Sequence, residues 1–487
     1  NIIPHGLEGT NEAVLEVASV PPLNLEKRLT YLIQYPHGCV EQVTSSVFPQ
    51  LYLADLVKLD DGRKKEIEKN VNAGIERLKQ FQAASGGFMY WPGGGGAPDP
   101  WASNYAGHFL VEAREKGYFV PPAMLSDWAK YQRSAAQVWS PDGGRDPLDQ
   151  SYRLYTLALA GDPEIGSMNR LKEAKALPNA ARWQLAAAYQ LSGIKDAAQD
   201  LAGGAGLTAG EYKQPGATFG SGLRDKAVIL NSLAILGRYD DKTLAEEISA
   251  ELTAERWHST QSIAYALMAA ARFYGSSDTG GDLEFRYAAG RKDLTKMSSN
   301  KPVVTVPLAK LPAAGESVQV KNTAGRRLFA TVTVRGVPPA GEETEEAKGL
   351  SISVRYADAK GNPLDVSELA QGSDVTAYLT VQNTSGLRLE NIALSHMSPS
   401  GWEIHNSRLD AEQDPEQGPL DYQDIRDDRI YSYFSLAAGG KIELASRFNA
   451  AYPGRYYLPG IYAEVMYEGE RHGSTKGKWV TVIKSSK

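Results

Sequence analysis

Tyr35-Pro36-His37-Gly38-Cys39-Val40-Glu41-Gln42 opens an apolar stretch that continues from Val43 to Val57. Pro36 and Gly38 precede a helix, and Cys39 falls in its first turn. Outward from this start, apolar residues recur at helical spacing from about Leu23 to Tyr274, in about twelve segments broken by Gly, Pro and Asp. The segments predict helices near 24–35, 40–57, 63–83, 101–117, 122–137, 149–160, 164–174, 178–193, 195–202, 223–237, 241–253 and 258–274. Ala186-Ala187-Ala188 and Ala269-Ala270-Ala271 let helices approach closely, and about six consecutive antiparallel hairpins imply a closed ring, an α/α toroid. Two glycine-rich stretches, Ser85 to Gly96 and Gly203 to Gly222, read as loops.

After Gly281 the period changes. Val303 to Val306, Leu328 to Val334, Ser351 to Tyr356 and Val375 to Val381 alternate as strands do. The acidic run Pro338 to Glu346 lies between two such sets and reads as a solvated linker. At 487 residues the chain carries roughly three domains by the usual length of about 150. With 42% apolar and 23% charged residues, each can bury a core. The net charge of −6, without a basic block, argues against nucleic acid or an acidic membrane surface as partner. No apolar run approaches the roughly 18 residues of a membrane-spanning helix. The opening Asn1-Ile2-Ile3-Pro4, without an initiator Met, reads as a processed form or a fragment.

Cys39 is the single cysteine, so an intrachain disulfide is impossible. Residues three apart share a helix face, which lets the Cys39 sulfur meet the Gln42 carboxamide. Attack of the thiolate on that amide, with loss of ammonia, would give an internal thioester: a stored acyl group with sulfur as leaving group. The helix N-terminus favours negative charge by about 0.3–1 kcal/mol and so eases departure of the thiolate. The spacing alone better fits a small buried cysteine filling the toroid core.

The run Gly38-Cys39-Val40-Glu41-Gln42 resembles the Gly-Cys-x-Glu-Gln signature of the alpha-2-macroglobulin and complement thioester family. Tyr90-Trp91-Pro92-Gly93, Asp99-Pro100-Trp101-Ala102-Ser103-Asn104-Tyr105, Trp257-His258-Ser259-Thr260-Gln261 and Asp424-Ile425-Arg426-Asp427-Asp428-Arg429 are similar to the bacterial branch. The resemblance implies the C-terminal portion of a bacterial alpha-2-macroglobulin. Residues 1–22 would supply a strand of a CUB-like β domain, 23–278 the thioester toroid, 279–347 the rest of the CUB-like domain and a linker, and 348–487 a macroglobulin-like β-sandwich. Upstream macroglobulin domains and the bait region would belong to the longer parent.

The function implied is a non-enzymatic protease trap: the Cys39–Gln42 thioester acylates a lysine amine or a hydroxyl of a captured protease. The same resemblance implies that Tyr35 and Met466 shield the thioester, although both also fit ordinary core packing. It further implies a periplasmic, inner-membrane-anchored lipoprotein. The alternative is a carbohydrate-active hydrolase, since α/α toroids also house paired carboxylates. No cofactor is expected, and the seven histidines show no metal-ligand spacing. His37 reads as a solvated loop residue, His108 and His258 as packing residues, Glu41 as a first-turn carboxylate, and Asp427 and Asp428 as part of a salt-bridged turn.

Overall fold

The computed structural model describes residues 6–34, 38–93, 97–141, 143, 146–214, 217–239, 242–276, 283–290, 293–308, 317–405 and 420–484. It divides into two compact units, Asn1–Val337 and Pro338–Lys487.

In the first unit, strand β1 (Glu12–Ala18) precedes thirteen α-helices among the described residues. Six of them are the best buried: α2 (Val40–Val47), α5 (Pro100–Glu115), α7 (Pro147–Leu159), α9 (Asn179–Leu191), α11 (Gly222–Ile235) and α13 (Thr260–Ser276). Each packs on the next in that order, and α13 packs back on α2. Ala186, Ala187 and Ala188 on α9, and Ala269 and Ala270 on α13, are buried at these contacts, where small side chains permit close approach. Five amphipathic helices lie outside them: α4 (Asp61–Lys79), α6 (Pro122–Gln137), α8 (Ile165–Lys172), α10 (Lys195–Gly203) and α12 (Thr243–Thr253). Helix starts follow local chemistry, since Asp60, Asp99, Asp146 and Ser221 accept the first free N–H groups of α4, α5, α7 and α11.

The stretch expected as one helix over 40–57 is broken into α2, a 3₁₀ segment Phe48–Tyr52 and α3 (Leu53–Leu56). Pro49 is the cause, because it lacks an N–H and its ring crowds the preceding turn.

After the helices, β2 (Leu283–Ala289), β3 (Thr295–Ser299) and β5 (Val318–Asn322) form one sheet in the order β3-β2-β5. In a second sheet, β1 lies between β4 (Val303–Leu308) and β6 (Phe329–Arg335), antiparallel to both. Leu15, Val17, Phe285 and Val306 belong to the one core that these sheets share.

The second unit is all β. Strands β8 (Leu350–Ala357), β10 (Asp374–Asn383), β12 (Glu403–Ile404) and β15 (Lys441–Asn449) make a sheet in the order β12-β15-β10-β8. A six-stranded sheet contains β7 (Glu346–Lys348), β11 (Leu389–Met397), β13 (Tyr422–Ile425), β14 (Arg429–Leu436), β17 (Tyr462–Val465) and β18 (His472–Ser474). Alternate residues of β10, among them Leu379 and Val381, meet Ile392, Leu394 and Phe434 in the core.

The acidic run expected as a wholly solvated linker ends differently, because Glu346-Ala347-Lys348 pairs with β18 as an edge strand. The free edge of β18 offers backbone partners, and His472 Nε2 meets the Glu346 carboxylate at 2.6 Å. The Asp427-Asp428 segment is a salt-bridged β13–β14 turn: Arg426 N–H donates to the Arg429 carbonyl at 2.9 Å, and Arg429 pairs with Asp428.

Candidate functional site

Cys39 is the N-cap of α2, in extended conformation and with no exposure to solvent. The residue at this position keeps its carbonyl in the helix, where it accepts from Val43 N–H at 3.0 Å, while its side chain lies at the positive end of the helix dipole. Gln42, 3% exposed, folds back so that its Oε1 accepts from the Cys39 backbone N–H at 3.3 Å, in a capping-box arrangement. The thiol and the carboxamide expected to react are therefore drawn to the same first turn. Val40 N–H, the next free donor, is taken by the Tyr90 carbonyl at 3.1 Å. The Tyr90 ring stacks on Phe219 with centroids 5.6 Å apart, so both glycine-rich loops contribute to this end of α2.

Glu41, between the two, is 1% exposed and anchored. Its carboxylate accepts from Ser45 Oγ at 2.6 Å and from Thr260 Oγ1 at 3.0 Å, joining α2 to the start of α13. Ser45 Oγ in turn lies 3.0 Å from the Tyr105 hydroxyl on α5. Burial, reinforced by the Glu41 charge, pushes the Tyr105 phenol well above its ordinary value. The Tyr105 and Tyr265 rings stack at 5.2 Å. Sequence reasoning missed Ser45 and Thr260 as partners of Glu41, and Tyr105 as the partner of Ser45. The Glu41–Ser45 spacing of four was the available local signal, and Thr260 lies in a stretch singled out without a role.

Of the expected site residues, the structure brings Cys39 and Gln42 together. Tyr35 and His37 lie outside the described residues. Met466 belongs to the second unit, where it is buried just after β17 and its backbone N–H donates to the Asn391 carbonyl at 3.1 Å. His108 and His258 are packed as expected: His108 Nδ1 meets the Tyr152 hydroxyl at 3.0 Å, and His258 Nε2 meets the Glu251 carbonyl at 3.1 Å.

Two half-buried carboxylates, Asp99 and Asp149, bear on the hydrolase alternative. Burial raises Asp99 to about 6 and also raises Asp149. Both are already engaged, Asp99 with Ala102 N–H at the start of α5, and Asp149 with Asn104 and Arg153. Among the described residues no group of His, Cys, Asp and Glu could hold a metal ion. None of the described helices is long and apolar enough to cross a membrane.

Known proteins share this arrangement of elements. The family profile described as the bacterial alpha-2-macroglobulin MG10 domain matches residues 349–470, inside the second unit. Alpha-2-macroglobulin of Escherichia coli K12 is 27% identical over 96% of this chain, and alpha-2-macroglobulin of Rickettsia conorii 23% identical over 91%. The chain is similar to the bacterial alpha-2-macroglobulins over nearly all of its length. It spans 29% of the E. coli relative and 24% of the Rickettsia one. The E. coli alpha-2-macroglobulin structure from domain MG7 to the C-terminus superposes with a TM-score of 0.81 at 23% identity, covering 98% of this chain and 78% of that one. A mutant Salmonella alpha-2-macroglobulin gives 0.81 at 26% identity, covering 98% of this chain and 32% of that one. Salmonella alpha-2-macroglobulin reacted with methylamine gives 0.81 at 24%, covering 99% and 33%. This chain corresponds to the C-terminal portion of the bacterial alpha-2-macroglobulins.

Proposed function

We propose that this chain is the thioester-bearing part of a protease trap, in which Cys39 and Gln42 are joined and the Gln42 acyl group is passed once to a nucleophile on a captured protease. The observation that carries the reading is the Gln42 carboxamide folded onto the backbone of a wholly buried Cys39. Loss of ammonia from that pair creates the thioester. Attack by a lysine amine or a hydroxyl then forms an amide or ester and frees the thiol. No second group is needed to hydrolyse the product, so the reaction is single-use rather than catalytic. The Cys39 N–H beside Gln42 Oε1 is placed to stabilise the oxyanion of the acyl transfer.

The helix contacts that run from α2 through α5, α7, α9, α11 and α13 back to α2 support an α/α toroid as the scaffold. The sheet that takes in β1 supports a CUB-like domain interrupted by that toroid. By the family resemblance, Tyr35 and Met466 shield the thioester until the longer parent is cleaved, and the parent is a lipid-anchored protein of the periplasm.

Intact-protein mass tests the central step. Freshly made protein should be lighter than its sequence by one ammonia and should gain one methylamine on treatment, with one thiol appearing per chain. A full sequence mass and a titratable thiol before any amine is added would reject the thioester.

A further inference from the structure

Beside Gln42 a cleft of about 250 Å³ opens between α2 and α4. Its walls include Gln42, Val43, Ser46, Gln50, Asn70 and Arg77. The neutral polar groups are occupied with one another. Ser46 Oγ donates to the Val43 carbonyl at 2.8 Å, Gln50 Nε2 to the Ser46 carbonyl at 2.7 Å, and Asn70 Nδ2 to Gln50 Oε1 at 3.2 Å. Arg77 is different. It is the one charged side chain among the described residues lining the cleft, and no carboxylate stands among them. Its Nη1 donates to Gln80 Oε1 at 2.6 Å, and its Nη2 lies 3.9 Å from where a Cβ on Gly38 would sit. The guanidinium thus spans from the cleft to the residue before Cys39.

We infer that this cleft is the subsite through which an unbranched primary amine, such as a lysine side chain, reaches the Gln42 acyl carbon, and that Arg77 supplies the positive charge that favours the transfer. The inference rests on the thioester reading above. The volume is below that of pockets for drug-sized ligands and suits one alkyl chain. In the step itself the amine nitrogen attacks the Gln42 carbonyl carbon and the carbon–sulfur bond breaks. Sulfur leaves as the thiolate and takes up the proton that the nitrogen loses, which gives an amide and a free Cys39 thiol. Negative charge gathers first on Gln42 Oε1 and then on sulfur, at the end of α2 that Arg77 faces. A fixed cation there lowers the energy of both. With no carboxylate in the lining, the cleft also offers no resting place for a protonated amine, so it is passed by neutral nucleophiles.

The experiment follows thiol release by methylamine in Arg77→Gln, Arg77→Lys and Ala73→Phe, at low and high ionic strength, after intact mass has established the thioester in each. Arg77→Gln should slow release about tenfold at low salt. Arg77→Lys should recover most of that loss, and added salt should narrow the gap between the parent and Arg77→Gln. Ala73 also lines the cleft on α4, and a phenyl group there should slow methylamine and exclude bulkier amines more strongly still. Release equal to the parent in Arg77→Gln and Ala73→Phe, with the thioester intact, overturns this inference and leaves the protease-trap reading standing. Loss in Arg77→Gln that lysine does not restore also overturns it, by making Arg77 a packing residue. A parent chain of full sequence mass overturns both.

Discussion

Replacing Glu41 separates a structural carboxylate from a proton-transfer group. In Glu41→Ala, the Thr260 hydroxyl, now 3.0 Å from the carboxylate, loses its acceptor, while Ser45 Oγ, now 2.6 Å from it, keeps the Tyr105 hydroxyl as a partner. A buried hydroxyl left unpaired costs about 1–3 kcal/mol, and removing a desolvated charge returns part of that, so the balance is a loss of about 1–3 kcal/mol. Glu41→Gln keeps an oxygen for one hydroxyl and should cost about 1 kcal/mol. Urea unfolding followed by helical circular dichroism gives the stability of the first unit, and intact mass of the same samples gives the fraction that has lost ammonia. The expected pattern is a graded fall in stability, Ala below Gln below parent, with thioester formation in the Gln variant within a few-fold of the parent. A Glu41→Gln protein as stable as the parent that never releases ammonia would refute the reasoning and make Glu41 the base that activates Cys39.

Glu16 gives a pH signature. It is buried with Oε1 unpaired, while its Oε2 accepts from Leu25 N–H at 2.9 Å, and burial raises it to about 7 from an ordinary value of 4.5. The folded state therefore holds this proton more tightly than the unfolded chain. Stability contributed by Glu16 is complete below about 4.5 and is lost as pH rises through about 7, by up to about 3 kcal/mol. Denaturation midpoints of Glu16→Gln should lack this part of the slope, and identical pH profiles would refute it. Arg272 bonds Glu112 and the Tyr52 hydroxyl inside the helical unit. Burial opposes the Glu112 charge, but Arg272 and then His108 override it and hold the carboxyl below its ordinary range. Arg272→Met should cost about 3–5 kcal/mol in a urea titration by stranding that charge, whereas a change below 1 kcal/mol would show that the pair is replaceable. If Tyr35 and Met466 form one shield, Tyr35→Ala, Met466→Ala and the double variant should all take up methylamine faster, with the double little faster than either single. Parental rates in all three would return both residues to ordinary packing.

Much of the helical body could be read from residues that act locally. Asp60, Asp99 and Asp146 mark helix starts because each side chain accepts a nearby N–H, and the observed α4, α5 and α7 begin within about two residues of the expected positions. Cys39 and Gln42 were legible for the same reason, three residues apart on one turn. Pro49 was visible too, but the apolar period carried across it and concealed the break. Pairings between distant residues left no such trace. Thr260 meets Glu41 across 219 residues, and nothing in either local sequence specifies the partner. Glu346 reads as solvated until β18 presents an open edge and His472 a ring nitrogen within hydrogen-bond reach.

The placement of β1 between β4 and β6 also sets an order of events during synthesis. The Ser19 backbone N–H donates to the carbonyl of Pro302, 283 residues later. At about 5–20 residues per second, the ribosome needs roughly 15–60 s to deliver that partner. Over that interval Leu15 and Val17 belong to an unpaired strand with both edges open, while the helices between can already associate through contacts nearer in sequence. Closure of the sheet is thus a late step that secures the two ends of the helical segment together. Until Val303 and the strands after it emerge, both edges of Glu12–Ala18 are open to pairing with another chain.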